Sequence, residues 1–354
     1  MIELWTLAIA AVAALACALS GSFLVLKREA LVAEGLAHAV LPGIVVAYAL
    51  LRDRTSPLLL VGAAAMGLVM VLAVQAIRRT GVVDPTASLG VVFPALFSLG
   101  VLLTSVDLAG THFHADCIID GNLALAPLDR LEVAGRDLGP RTFWTVSSAL
   151  LAVLGFVLLL FKELKLTAFD AELAGSLGLR PGRLHLAWLA VVSLTIVASF
   201  EAAGSILVVA LMIAPPAAAV LWVDDVRLVL IVSSLLALGS AVAGHAVAMA
   251  LDVAPSGPMA ASAGAAFLAT LALAPRGPVR LGRSRRRSLA SMEGELVAAR
   301  LLPSGSREPE SVRAELGWRR PRFDAAVARA VAGGEVQVDV ASGDLSLRAG
   351  GRGA

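Results

Sequence analysis

The sequence predicts an all-α polytopic membrane protein of about nine transmembrane helices, followed by a small C-terminal cytoplasmic α+β module of winged-helix-like order. Three observations carry this. The 354 residues are 58% hydrophobic with a mean hydropathy of +0.85, whereas a soluble domain is roughly 45–50% apolar. Aromatic residues make up only 5%, so the apolar mass is Ala, Leu, Val and Gly, the composition of helices that approach closely through small side chains. The charge is divided: residues 1–275 hold 14 basic and 18 acidic side chains, net −4, and residues 276–354 hold 15 and 9, net +6.

Apolar runs lie near 4–26, 56–77, 86–106, 142–161, 184–200, 203–223, 226–250 and 257–274, each near the about 17–25 residues that cross a bilayer. A shorter run, 36–51, contains Pro42 and is counted as the ninth span. The start, Met1-Ile-Glu3-Leu-Trp5, has no basic n-region, so the first run reads as a retained span and not a cleaved signal. If nine spans alternate, Lys27-Arg28, Arg78-Arg79, Lys162, Lys165, Arg180, Arg183 and the Arg-rich stretch after 275 share one side. Basic loops favour the cytoplasm, which puts the N-terminus outside, the C-terminus inside and the chain in the cell membrane. Arg52, Arg54, Arg130, Arg136 and Arg141 run against that rule.

Three regions follow. Residues 1–275 form the transmembrane domain. Residues 276–288 are a basic juxtamembrane linker suited to anionic lipid. Residues 289–354 form the module: helices over 289–302, 309–317 and 321–332, the last with Phe323, Val327 and Val331 on one face, then a hairpin from Glu335–Val340 to Leu345–Leu347. Its charge would permit nucleic acid, but much of that charge lies in the linker. It is read as an interaction module, with nucleic acid not expected as a partner.

The segment Glu34-Gly-Leu-Ala-His38-Ala-Val-Leu-Pro42-Gly43 puts a carboxylate and an imidazole on one helix face. Ionisable groups at membrane depth mark pathways by default, and this oxygen–nitrogen pair suits first-row divalent metals. The plainer reading is a cap carboxylate and a packing histidine. Pro42 with Gly43, and later Pro215, are expected to break their helices. Asp84, before Pro85, is either an N-cap or part of an exit path. The outer loop carries Asp107, His112, His114, Asp116 and Asp120, either a metal-collecting cluster or a solvated loop. Glu201, between two spans, is either interfacial or a pathway ligand. Phe169, Leu173 and Leu177 share one face of a short cytoplasmic segment. Cys17 and Cys117 make no disulfide framework. The three lysines follow no glycine, so a phosphate-binding Gly-x-x-x-x-Gly-Lys loop is absent. No His-Glu-x-x-His helix occurs, and no enzymatic activity is expected of this chain.

Six blocks in order resemble the membrane permeases of manganese, zinc and iron ATP-binding-cassette importers. They are Gly21–Arg28, Glu34–Gly43, Asp84–Gly90, Asp116-Cys117-Ile-Ile-Asp120-Gly121-Asn122, Phe169-Asp170-Ala-Glu-Leu-Ala174-Gly-Ser-Leu-Gly178, and Phe200-Glu201-Ala-Ala-Gly204 through Pro215. Glu34 stands where the family often has Asp. The Asp-Cys pair and Phe200-Glu201 look more like the manganese/iron subgroup. The resemblance implies a transported divalent metal (Mn, Fe or Zn) with no permanently bound cofactor, and metal contacts at Glu34 and His38, with Asp84, Asp116, Glu201, His112 and His114 as further candidates. It implies a coupling helix at Phe169, Asp170, Ala174 and Gly178, ATPase subunits on separate chains, a second permease subunit and an extracytoplasmic metal-binding protein. The alternatives are an ion-coupled secondary metal carrier and a membrane-tethered regulator acting through its C-terminal module.

Overall fold

The computed structural model describes residues 2–52, 58–107, 123–133, 136–274, 292–293, 296–299, 301, 306–332, 336–339 and 344–347. The chain divides into two compact units, Met1–Leu271 and Ala272–Ala354.

The first helix, α1 (Ile2–Leu26), is the spine of the first unit. Its Ala, Cys and Ser side chains from Ala13 to Ser22 are buried, because small residues let neighbouring backbones come close. It stops at Arg28, whose φ of +60° is left-handed. The amide of Glu29 donates to Leu24 O at 2.8 Å and that of Arg28 to Val25 O at 3.0 Å, so freed carbonyls are capped. Then come α2 (Ala30–Ala39) and α3 (Leu41–Leu51), α4 (Leu58–Arg79) and α5 (Pro85–Asp107). A 3-10 turn at Ala126–Leu128 and an antiparallel pair, β1 (Arg130–Val133) and β2 (Arg136–Pro140), precede α6 (Arg141–Leu159). Two short helices, α7 (Phe161–Phe169) and α8 (Ala171–Ser176), lead to α9 (Pro181–Ala203), α10 (Ser205–Val220), α11 (Val226–Leu251) and α12 (Ser256–Leu273).

Around α1 pack α6, α9, α10 and α11, while α2 lies against α5, α10 and α9. Trp188 of α9 is fully buried, with its ring 5.3 Å from Phe23 of α1 and 5.6 Å from Phe156 of α6. Buried hydroxyls bond within the bundle: Ser22 Oγ meets Ser233 Oγ at 3.0 Å.

Eight segments among the described residues are long and apolar enough to cross a membrane; α2 and α3 together form one of them. The run expected over 203–223 is the exception. Gly204, at φ +78°, separates α9 from α10 and leaves α10 only 16 residues, about 24 Å at 1.5 Å per residue.

The two proline sites differ. Near Pro42 the helix is interrupted at Val40; Pro42 offers no N–H to the carbonyl of His38, four residues back. At Pro215 the expected break is corrected, since α10 runs unbroken through Pro215-Pro216. The carbonyls of Leu211 and Met212 lose their usual donors there. Gly21 of α1 packs directly onto Met212 O, where a Cβ would come within 1.8 Å. Both prolines are buried.

In the second unit, β3 (Ser306–Arg307), α13 (Pro309–Leu316), α14 (Arg320–Ala332), β4 (Val336–Val338) and β5 (Leu345–Leu347) surround a small core. The strands form an antiparallel sheet in the order β3-β5-β4. Val297, Leu301, Val312, Phe323, Ala326, Ala330, Val336 and Leu345 are buried. The inward stripe of α14 is therefore Phe323–Ala326–Ala330, and Val331 points outward.

Candidate functional site

Glu34 and His38 both lie on α2, one turn apart. The helix sits tightly: Gly35 admits the Met70 methyl of α4, and Leu41 and Pro42 meet Gly100 of α5. His38 is half-buried, with its ring stacked 6.2 Å from Phe93 and edge-on 5.6 Å from Phe97. Both phenyl rings come from α5, one turn apart, and they hold the imidazole in place through aromatic contact. Glu34 is exposed. Among the described residues it has neither a hydrogen bond nor an ion pair with another side chain, and no group of three or more His, Cys, Asp or Glu side chains could hold a metal. One chain thus offers two ligand-type side chains here, one open and one braced.

The remaining candidates fall elsewhere. Asp84 caps α5: Thr86 N–H donates to its Oδ1 at 2.9 Å and Ser88 N–H to its carbonyl at 3.0 Å. Glu201 lies in the last turn of α9. His112, His114, Asp116, Asp120 and Cys117 lie outside the described residues.

The 169–178 segment is a built unit. Leu173 N–H donates to Asp170 Oδ1 at 2.8 Å, which caps α8. Its end is closed by Gly178 at φ +83°, with Leu179 N–H on Ala174 O at 3.1 Å and Gly178 N–H on Gly175 O at 3.1 Å. Ala174 is buried, whereas Phe169, Leu173 and Leu177 are 64%, 47% and 66% exposed. The single helical face expected for these three is interrupted: Phe169 ends α7, Asp170 is extended, and only Leu173 lies within α8, with Leu177 following it; the three nevertheless expose apolar surface of a kind that suits a protein partner.

A charged cluster that the sequence reading did not single out lies beside α2. Glu29, the residue preceding α2, has Oε1 3.5 Å from Arg78 Nη1 of α4 and Oε2 3.4 Å from His185 Nε2 of α9. Lys27 Nζ is 3.3 Å from His185 Nδ1. Burial pushes the Lys27 ammonium below the usual lysine range, with the Glu29 carboxylate working against that shift. In the sequence these residues look like ordinary loop charges. Only the packing of three helix ends unites them.

Fold and site together define a polytopic membrane protein with ionisable side chains among its apolar helices. The chain belongs to the ABC 3 transport family, which matches residues 2–274. It is 37% identical over 273 residues to the manganese transport system membrane protein MntD of Bacillus subtilis (strain 168), covering 77% of this chain and 92% of that protein. It is 40% identical over 268 residues to the zinc transport system membrane protein TroD of Treponema pallidum (strain Nichols), covering 76% and 73%. PsaBC from Streptococcus pneumoniae, solved in complex with Fab, has the same fold with a TM-score of 0.64 at 23% identity, covering 77% of this chain and 91% of that one.

Proposed function

We propose that this chain is the permease subunit of an ATP-driven importer of manganese or zinc ions. The observation that carries the reading is the Glu34–His38 pair: an open carboxylate one turn from a braced imidazole, inside a span of a chain of the ABC 3 transport family. Two copies, or this chain and a close homologue, bring two such pairs together, and four oxygen and nitrogen ligands suit a divalent transition metal. The metal is cargo. The resemblance drawn above favours manganese or iron; the relatives described carry manganese and zinc in their names, and iron rests on the resemblance alone.

Residues 169–178 are the coupling segment. The exposed Phe169, Leu173 and Leu177 meet ATPase subunits on the cytoplasmic side, and a metal-binding protein docks on the opposite face. The N-terminus lies outside and the C-terminus inside. The C-terminal unit, with helices followed by a hairpin in a three-stranded sheet, is a winged-helix-like interaction module. Membership of the ABC 3 transport family disfavours a gradient-driven carrier.

The test is uptake of radioactive Mn²⁺ and Zn²⁺ in cells expressing this chain with its ATPase, alongside His38→Ala. Uptake that needs the ATPase and vanishes in His38→Ala, with the variant present in the membrane at normal amount, is expected. Uptake that persists in the variant, or without the ATPase, overturns the reading.

A further inference from the structure

The charged cluster at Glu29 joins two rigid joints. One is the turn from α1 to α2, closed by the backbone bonds of Arg28 and Glu29 to Val25 O and Leu24 O. The other is the exit from α8, closed at Gly178 and Leu179 and followed by Pro181 in the first turn of α9, where proline pre-sets the helix. His185 stands one turn further along α9. Only the turn at 177–180 lies between α8 and α9, so a displacement of residues 170–178 is passed on to His185.

Glu29 receives that displacement. Its Oε2 is buried and takes no hydrogen bond among the described residues, and the polar atom facing it is His185 Nε2 at 3.4 Å. Its other oxygen faces Arg78 at 3.5 Å. At this length the Glu29–Arg78 contact is held by charge more than by tight hydrogen-bond geometry, whereas the His185 contact is a polar one that gains a full charge only when the imidazole is protonated. Coulomb attraction falls off gradually with distance, so such a link still pulls at separations where a hydrogen bond is lost. Water screens it little, since the three side chains are each largely buried. Glu29, Arg78 and His185 line a small cleft together with Val32, Met70, Val74, Leu89 and Leu189. Glu29 is continuous with α2, five residues before Glu34.

We propose that Glu29 is the hub of a polar latch, with His185 and Arg78, that transmits movement of the 170–178 segment to the helix bearing Glu34 and His38. Glu29 is a positioning residue: it acts through α2 and does not touch the cargo. The inference rests on the reading of 169–178 as the ATPase-coupling segment.

The experiment uses the complete complex of this chain with its ATPase in proteoliposomes. Three quantities are measured on wild type and Glu29→Gln: ATP hydrolysis, metal influx, and equilibrium Mn²⁺ or Zn²⁺ binding. The expected result is metal moved per ATP reduced by about fivefold or more, the lower end of ordinary coupling between sites, with metal binding unchanged and hydrolysis retained. His185→Ala, which removes the contact with Glu29 from the 170–178 side, should lower the same ratio with metal binding unchanged, which a merely structural role would not do. If Glu29→Gln fails to assemble, Glu29→Asp, which keeps the charge on a shorter arm, should lower the ratio partially. An unchanged ratio in the variant that assembles overturns the latch. Loss of metal binding in step with the ratio also overturns it, since Glu29 would then belong to a metal site. Wild-type complex with no ATP-dependent influx would instead overturn the importer reading.

Discussion

Replacing Gly21 by Ala tests a close crossing of α1 and α10. A Cβ at Gly21 would lie 1.8 Å from the carbonyl oxygen of Met212. A carbon meets a carbonyl oxygen no closer than about 3.3 Å even in the tightest C–H···O contact, so α1 and α10 must separate by about 1.5 Å at that point. The obstacle is backbone, so no rotamer change relieves it. Overpacking of a core ordinarily costs about 1–3 kcal/mol, and this site belongs at the upper end because two central helices must move together. The control is Gly239→Ala on α11, where a Cβ meets nothing within 4 Å and where alanine is favoured over glycine by roughly 1 kcal/mol in a helix. Thermal unfolding of the detergent-solubilised protein is the assay. Gly21→Ala should melt clearly below wild type, and Gly239→Ala at or above it. Equal melting temperatures for the two variants would refute the argument that Gly21 sits on the carbonyl freed by Pro216.

Two further expectations concern the charged and docking segments. Asp170→Ala removes the acceptor that holds Leu173 N–H, a loss of about 1 kcal/mol for a helix cap; affinity for the ATPase, measured by co-purification, should fall while metal binding by the permease stays unchanged. Lys27 is held below its usual range by burial, so as pH rises the folded chain gives up that proton before the unfolded chain does. Stability therefore carries a penalty at lower pH that is relieved as pH climbs towards the model-peptide value of 10.5. In unfolding measured across that window, wild type should gain stability relative to Lys27→Met; a constant difference between them would refute the burial effect.

Hydropathy located the spans because a bilayer demands long apolar helices with their backbones satisfied internally. The runs 4–26 and 226–250 fall within a residue or two of α1 and α11. The pairing of Glu34 with His38 was also readable, since four-residue spacing fixes a helix face. Where α10 begins was not, because only the positive φ of Gly204 separates it from α9, and a glycine in an apolar run does not announce its conformation. Proline was misread for a related reason. Pro42 and Pro215 each remove one backbone donor, yet the helix is interrupted only near Pro42, and the residue packed closely against α10, Gly21, is nearly two hundred positions away in the sequence. The Glu29–Arg78–His185 cluster was invisible for the same cause: its members belong to three helix ends that only the tertiary packing brings together.

Glu34 ties these strands together. A carboxylate in a span cannot be left facing lipid, which supplies neither charge nor hydrogen bonds. Within this chain it is exposed, while its neighbour His38 is enclosed by Phe93 and Phe97. Val32, Ala33, Gly35, Leu36, Ala37 and Ala39 of α2 are all buried, and the other exposed side chain of the helix, Leu31, is apolar. The open position is thus confined to a single side chain with charge to offer, next to α5, a span whose surface is mostly exposed. That is the pattern expected of a half-site completed from outside the chain, and it gives the proposed pairing of two permeases a physical requirement: the second subunit must bring to Glu34 either cationic cargo or the polar groups that the lipid lacks.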